Sequence, residues 1–178
     1  YRFSEDETPQ EIIGRMIEEY KKNVTDDLRQ EMVDKRITET EVLILASIIE
    51  GEAIYDQERS IISGVYHNRL RMGMRLQADP TIQYIVEGAP RRLLNKDLKI
   101  ESPYNTYLHY GLPPGPINNP GIESIRAALN PAETDYLYFV AKGDGYHTFS
   151  KTKEAHNKAK RQFQKVRREA RRKKLNKG

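Results

Sequence analysis

The 178-residue sequence contains no cysteine and no tryptophan, only four phenylalanines, and no unbroken apolar run longer than Val42–Ala46. Without cysteine there is no disulfide scaffold, no thiolate zinc site and no cysteine nucleophile. An apolar run that short falls far below the roughly 20 residues a membrane-spanning helix needs. HExxH and GxSxG are both missing. The four histidines, His67, His109, His147 and His156, are scattered without metal-ligand spacing. Neither a metal site nor a serine triad is therefore expected. No internal repeat is present. The length bounds the chain to one domain, large enough to bury a substantial core. It begins at Tyr1 instead of Met, which reads as a piece of something longer whose upstream signal or anchor is out of view.

Charge is plentiful but unevenly placed. Eleven of the 30 Lys and Arg and one of the 26 acids fall in Lys158–Gly178, leaving 19 bases against 25 acids over residues 1–157. The body is thus acidic and the last segment, 158–178, strongly basic. No part of the body resembles a base-reading helix or a stacking platform with interleaved arginine, so nucleic acid is not the expected partner. The basic end reads either as a solvated helix terminus fraying into a tail or as an attraction to an anionic surface such as lipid headgroups or a cell-wall polymer.

Thr8, Pro9 and Glu11 form a capping-box start with proline at the first helical position, followed by Ile12, Ile13, Met16, Ile17 and Tyr20 at helical spacing. Further helices are predicted over Thr25–Arg36, over Glu39 to about Ala53, and over the stretch marked by Ile61, Ile62, Val65, Tyr66 and Leu70, with Gly73 as a left-handed cap. Asp79–Pro80 and Asn119–Pro120 read as two more helix starts. Residues 101–121 hold five prolines and three glycines. A loop of that length in a compact domain is usually functional. Tyr136–Ala141, the turn KGDG and Tyr146–Ser150 predict a β-hairpin, and a last helix beginning near Lys151 dissolves into the basic tail. Helices with one local antiparallel pairing give an α+β fold.

The third helix carries two carboxylates one residue apart, Glu50 and Glu52, with Gly51 between them. At about 100° per residue, Glu52 falls about 20° from Leu45, in the middle of the apolar stripe, while Glu50 lies about 140° away. A carboxyl on an apolar stripe is desolvated and keeps its proton to higher pH, as a general acid must. The same placement also suits an acid at the helix end, where the stripe meets water, and periodicity leaves both readings open. Gly51 costs about 1 kcal/mol relative to Ala inside a helix, which invites either a close ligand approach or plain fraying. Eleven tyrosines, three of them (Tyr104, Tyr107 and Tyr110) in the Pro/Gly loop, offer the apolar faces and hydroxyls that suit a sugar, as well as ordinary packing.

Four segments, LASIIEGEA, ERSIISGVYHNRLRMGMRLQADPTIQY, SPYNTYLHYGLPPGPINNPG and NPAETDYLYFVAKGDGYHTFSKTKEAHN, resemble in order and spacing the catalytic domain of the endolytic murein transglycosylases, the MltG or YceG-like family. The resemblance covers roughly Leu43–Asn157. It implies a lyase that cuts peptidoglycan glycan strands internally, between N-acetylmuramic acid and N-acetylglucosamine, leaving 1,6-anhydromuramyl ends during cell wall assembly. It also implies a catalytic domain over 1–157, lacking the family's N-terminal membrane anchor and LysM-like part, with 158–178 as a basic helix end. The protein is then expected at the cell membrane with its catalytic domain on the extracytoplasmic side, this segment being soluble by itself. Peptidoglycan strands are the implied substrate and peptidoglycan synthases the implied protein partners.

By the same resemblance the catalytic acid is the second glutamate of the E-x-E pair, Glu52, with Glu50 as a supporting acid. The substrate-binding positions are Asn68, Arg69, Gln77, Asp79, Thr81, Tyr104, Asn105, Thr106 and His147, with Pro113 and Gly115 shaping the loop. Lytic enzymes commonly place Ser or Thr directly after the catalytic glutamate; Ala53 stands here, so a hydroxyl partner must come from elsewhere. One carboxyl suffices for this chemistry, with no metal or organic cofactor, because the muramyl C6 hydroxyl is an internal nucleophile. A hydrolase needs a second carboxylate. The competing expectations are a muramidase and a non-catalytic peptidoglycan-binding module.

Overall fold

A computed structural model of the chain describes residues 3–88 and 90–175, without the side chains of 169–175. Tyr1 and the last three residues of the basic segment lie outside the described residues. The chain divides into two compact units, Tyr1–Glu39 and Thr40–Gly178. In the first, α1 (Pro9–Asn23) starts at the expected capping box, with Thr8 and Glu11 each accepting from the other's backbone N–H, and α2 (Asp26–Asp34) buries Leu28 and Met32. Glu39, where this unit ends, accepts from the Tyr20 hydroxyl and pairs with Arg29.

The second unit is built around α3 (Glu39–Glu52). A single apolar stripe was the expectation for this helix; instead Val42, Ile44, Leu45, Ala46, Ser47, Ile48 and Ile49 are all buried, the mark of a helix enclosed on most sides. Ser47 ties it to the Pro/Gly loop, its hydroxyl accepting from the Ile117 N–H at 3.0 Å and its carbonyl from Asn118 Nδ2 at 2.8 Å. α4 (Asp56–Arg71) ends as anticipated at Gly73, whose φ is +62°. The Gly73 N–H donates to Leu70 and the Met74 N–H to Arg69, a Schellman closure. α5 (Asp79–Ile85) is short, and α6 (Ile122–Leu129) starts two residues beyond Asn119–Pro120, with Gly121 as its N-cap.

β1 (Tyr138–Ala141) and β2 (His147–Ser150) pair antiparallel, Tyr138 opposite Ser150 and Ala141 opposite His147. Gly143 and Gly145 supply the positive φ of the turn, at +100° and +92°. α7 runs from Lys153 to Leu175 and lies against both strands, so the basic segment continues as helix instead of dissolving near its start. α4 packs on α6 and touches β1. The fold is α+β, helix-rich with one small hairpin and a long irregular segment between α5 and α6.

Candidate active site

Glu52 is the last residue of α3. Its carboxyl accepts a 2.8 Å hydrogen bond from the hydroxyl of Tyr66, a core residue of α4 only 1% exposed. Burial pushes the Glu52 carboxyl up to about 7, and the charge of Asp79 adds to the rise. Hydrogen bonds from Tyr66 and the Asp79 backbone, and the charge of Arg69, pull the other way and lose. Burial, then the Glu52 charge, holds Tyr66 well above the ordinary tyrosine range. Tyr66 therefore stays a hydroxyl donor at any ordinary pH. It is the hydroxyl partner that Ala53 does not provide.

Asp79 opens α5 and accepts from the Tyr107 hydroxyl of the Pro/Gly loop. Burial and the nearby Asp79 charge raise Tyr107 far above its ordinary value, so it too remains a donor. α5 reaches this position because Pro80 sits directly on Gly51. A Cβ on Gly51 would meet the Pro80 ring at 2.6 Å. The glycine between the two acids is thus explained by the packing of another helix, not by a ligand or by fraying.

Two cavities meet at Glu52 and Asp79. One, of about 530 Å³, is walled by Arg69, Gln77, Tyr107, the hairpin residues Tyr138–Ala141 and His147, and by Lys153, His156, Lys160 and Phe163 of α7. The other, of about 610 Å³, is walled by Gly51, Pro80, Gln83, Tyr84, Pro90, Ile117 and Asn118. An elongated ligand can lie across the Glu52 carboxyl with room on both sides. Gln77 faces the first cavity from a left-handed backbone, φ +48°. That conformation costs a residue with a Cβ about 1 kcal/mol, and its N–H is fixed by Thr106 O at 3.0 Å.

The remaining expected binding residues divide sharply. Arg69 and His147 line the first cavity, yet most of their polar atoms are engaged internally. Arg69 donates to the carbonyls of Arg75, Leu76 and Leu137, and burial lowers its pKa. His147 Nδ1 and backbone N–H are both held by the buried Glu58 carboxylate, at 2.8 and 3.0 Å. Tyr104 lies beside Tyr84, ring centroids 4.8 Å apart, with its hydroxyl over Gly115.

Asn105, Thr81 and Thr106, expected to contact substrate, are enclosed by protein. They are 0%, 0% and 2% exposed. Asn105 donates to Leu98 O and Ile100 O and accepts from the Tyr107 N–H. Thr81 and Thr106 hydrogen-bond each other at 2.9 Å, and Thr106 accepts from the Ala78 N–H. Thr106 thus fastens the loop to the start of α5, while Asn105 braces the loop against the segment before it. Asn68 faces away, into a separate cavity with His67, Arg71 and Lys151, and its amide donates to Thr134 O and Tyr136 O.

Glu50, on the other side of α3, accepts from Arg59 at 2.9 Å, from the Ser124 hydroxyl at 2.7 Å and from the Gly121 N–H at 3.3 Å. It clamps α4 and the start of α6 to α3. The sequence does not mark Tyr66 as a site residue, and it marks Tyr107 only as one of three loop tyrosines suited to a sugar. The signal for Tyr66 was a single hydroxyl on an otherwise apolar stripe, Ile61, Ile62, Val65 and Tyr66, since a buried tyrosine needs a polar partner. Among the described residues no group of three or more His, Cys, Asp or Glu could hold a metal ion, and no helix is long and apolar enough to cross a membrane.

Known proteins are similar to this chain over most of its length. An endolytic murein transglycosylase from Bacillus subtilis is 42% identical over 163 residues, which is 92% of this chain and 45% of that protein. One from Streptococcus pneumoniae D39 is 33% identical over 146 residues, 79% of this chain and 26% of that protein. A crystal structure of a yceG-like protein from Listeria monocytogenes superimposes with a TM-score of 0.80 at 42% identity, covering 89% of this chain and 51% of that one. The chain spans less than half the length of these curated relatives and about half of that crystallised chain. The YceG-like family profile matches residues 1–162, which include Glu52, both cavities and the hairpin apart from Phe163, and the chain therefore belongs to the YceG-like family.

Proposed function

We propose that this chain cleaves peptidoglycan glycan strands by lytic transglycosylation, with Glu52 as the single acid and base. The observation that carries the reading is a carboxyl with a pKa of about 7 at the junction of two open cavities. At neutral pH a large share of Glu52 is protonated, so it can deliver a proton to the glycosidic oxygen. The resulting carboxylate, still oriented by Tyr66, then takes the proton of the muramyl C6 hydroxyl as that oxygen closes on C1. The proton returns to Glu52 and no water is consumed. Holding the hydroxyl beside the anomeric carbon makes the attack intramolecular. Burial does most to favour the protonated acid, and the nearby Asp79 charge adds to it. Room on both sides of Glu52 supports internal cleavage. The name shared by the Bacillus and Streptococcus relatives supports the substrate class. With this reading goes an extracytoplasmic, membrane-anchored protein working beside peptidoglycan synthases.

Asp79 also favours a second reading, since two carboxyls at one cleavage point are what a muramidase uses. Product chemistry separates them. On uncrosslinked strands the wild-type chain is expected to yield 1,6-anhydromuramyl ends, and Glu52→Gln to lose turnover by about a hundredfold to ten-thousandfold while still binding glycan. Reducing muramic acid ends, abolished by Asp79→Asn, would establish the hydrolase instead. Binding by wild type without new ends of either kind would leave a wall-binding module.

A further inference from the structure

The two halves of the cleft differ in charge. Among the described residues, the half walled by Tyr84, Pro80 and Ile117 is lined by no cation, and its charged groups are the shared Glu52 and Asp79. The other half presents Lys153 and Lys160 from α7, with Arg69 behind them. Lys153, His156, Asn157 and Lys160 come at intervals that put them on one face of α7, and that face rests on the hairpin, His156 stacking on Tyr138 at 5.3 Å. Lys160 and Arg69 both help, after burial, to hold His156 below the ordinary histidine range, a sign of positive potential in this half. Lys153 belongs to the acidic body and Lys160 to the basic segment 158–178, so the cationic wall lies where that segment reaches the reaction centre. In a peptidoglycan strand the sugars alternate, and only the muramic acid bears an anionic substituent, the lactyl-linked stem peptide with its free carboxylates.

We infer that Lys153 and Lys160 form a subsite for the carboxylates of the stem peptide, so that the muramyl residue forming the anhydro ring lies in the hairpin and α7 half and the N-acetylglucosamine leaving group lies against Tyr84. This rests on the transglycosylase reading and adds to it a direction for the strand and a preference for acidic stem peptides.

The test uses the full chain on three preparations of the same strands: with acidic stem peptides, with the peptide carboxyls amidated, and with the peptides removed by an amidase. Wild type is expected to prefer the first over the other two by about tenfold in kcat/KM, the order of two partly screened ion pairs. That preference should shrink toward unity as salt rises. In Lys153→Gln/Lys160→Gln the ratio is expected to collapse toward one at low salt. Affinities of the Glu52→Gln chain for the three preparations should rank the same way, which frees the test from turnover. Equal use of all three by wild type, or an undiminished ratio in the double variant, overturns the subsite. Cleavage of none of the three by wild type, with intact affinity ranking in Glu52→Gln, would overturn the transglycosylase reading and leave the subsite standing.

Discussion

Glu52 is costly to ionise, and the cost is measurable as a pH-dependent stability. Its pKa is about 7 in the fold against 4.5 in an unstructured chain. Below pH 4.5 it is protonated in both states and the fold keeps the full benefit of a neutral buried carboxyl. Between 4.5 and 7 the unfolded chain ionises first, and stability is lost as pH rises, levelling off above 7. The shift corresponds to at most about 3 kcal/mol, reduced by the carboxyl's partial solvent access. Glu52→Gln is therefore expected to match wild type near pH 4 and to be the more stable by about 1–3 kcal/mol at pH 8, read from urea midpoints across pH. A constant gap would mean the carboxyl is solvated. Tyr66 acts on the same equilibrium, because its hydrogen bond lowers the Glu52 pKa. Removing the hydroxyl in Tyr66→Phe should move the alkaline limb of kcat to higher pH while reducing the maximum. A lower melting temperature with an unmoved limb would reduce Tyr66 to packing. The spacing of LASIIEGEA pointed to Glu52, but Tyr66 stands 14 positions away on another helix, and no local pattern joins them.

At the level of elements, the Pro/Gly segment behaves as structure on its inner face and as a cleft wall on its outer one. The side chains of Thr106 and Tyr107 hold the start of α5, and the Ile117 N–H and the Asn118 side chain hold α3. Asn105→Ala would leave two carbonyls and one N–H without their partner inside the protein. We expect it to cost about 2–4 kcal/mol, seen as a clear fall in melting temperature, with turnover lost only in proportion to unfolding. Lost turnover at unchanged stability would return Asn105 to substrate contact, the role that its place in a tyrosine-rich loop suggested. The helices, the Schellman closure at Gly73 and the hairpin were legible because each is written in residues close in sequence: a capping box, a glycine, a KGDG turn. The enclosure of α3 was not, since the face argument assumes one wet side. That side is covered by the loop, α5 and α6, whose arrival depends on contacts such as Pro80 on Gly51. Glu50 consequently bonds Arg59 and Ser124 and is only partly exposed.

Across the whole molecule, charge is segregated along one helix. The cavity-facing residues of α7 end at Phe163, whereas much of its positive charge lies beyond. Deleting Arg171–Gly178 removes five cations and takes the net charge from +4 to −1 while leaving every cavity residue in place. Peptidoglycan is an anionic polymer through its stem peptides, so the intact chain should be drawn to it over distances comparable to the Debye length, about 10 Å at 0.1 M salt. The truncated chain should keep its melting temperature and its kcat, because the cleft and the hairpin packing are intact. Its KM at low ionic strength should rise by about threefold to tenfold, and the salt dependence that separates the two chains should vanish near 0.5 M salt, where the Debye length is about 4 Å. Identical KM values at every ionic strength would make the distal end of α7 a solvated helix terminus. A fall in kcat would mean instead that this end reaches the reaction centre.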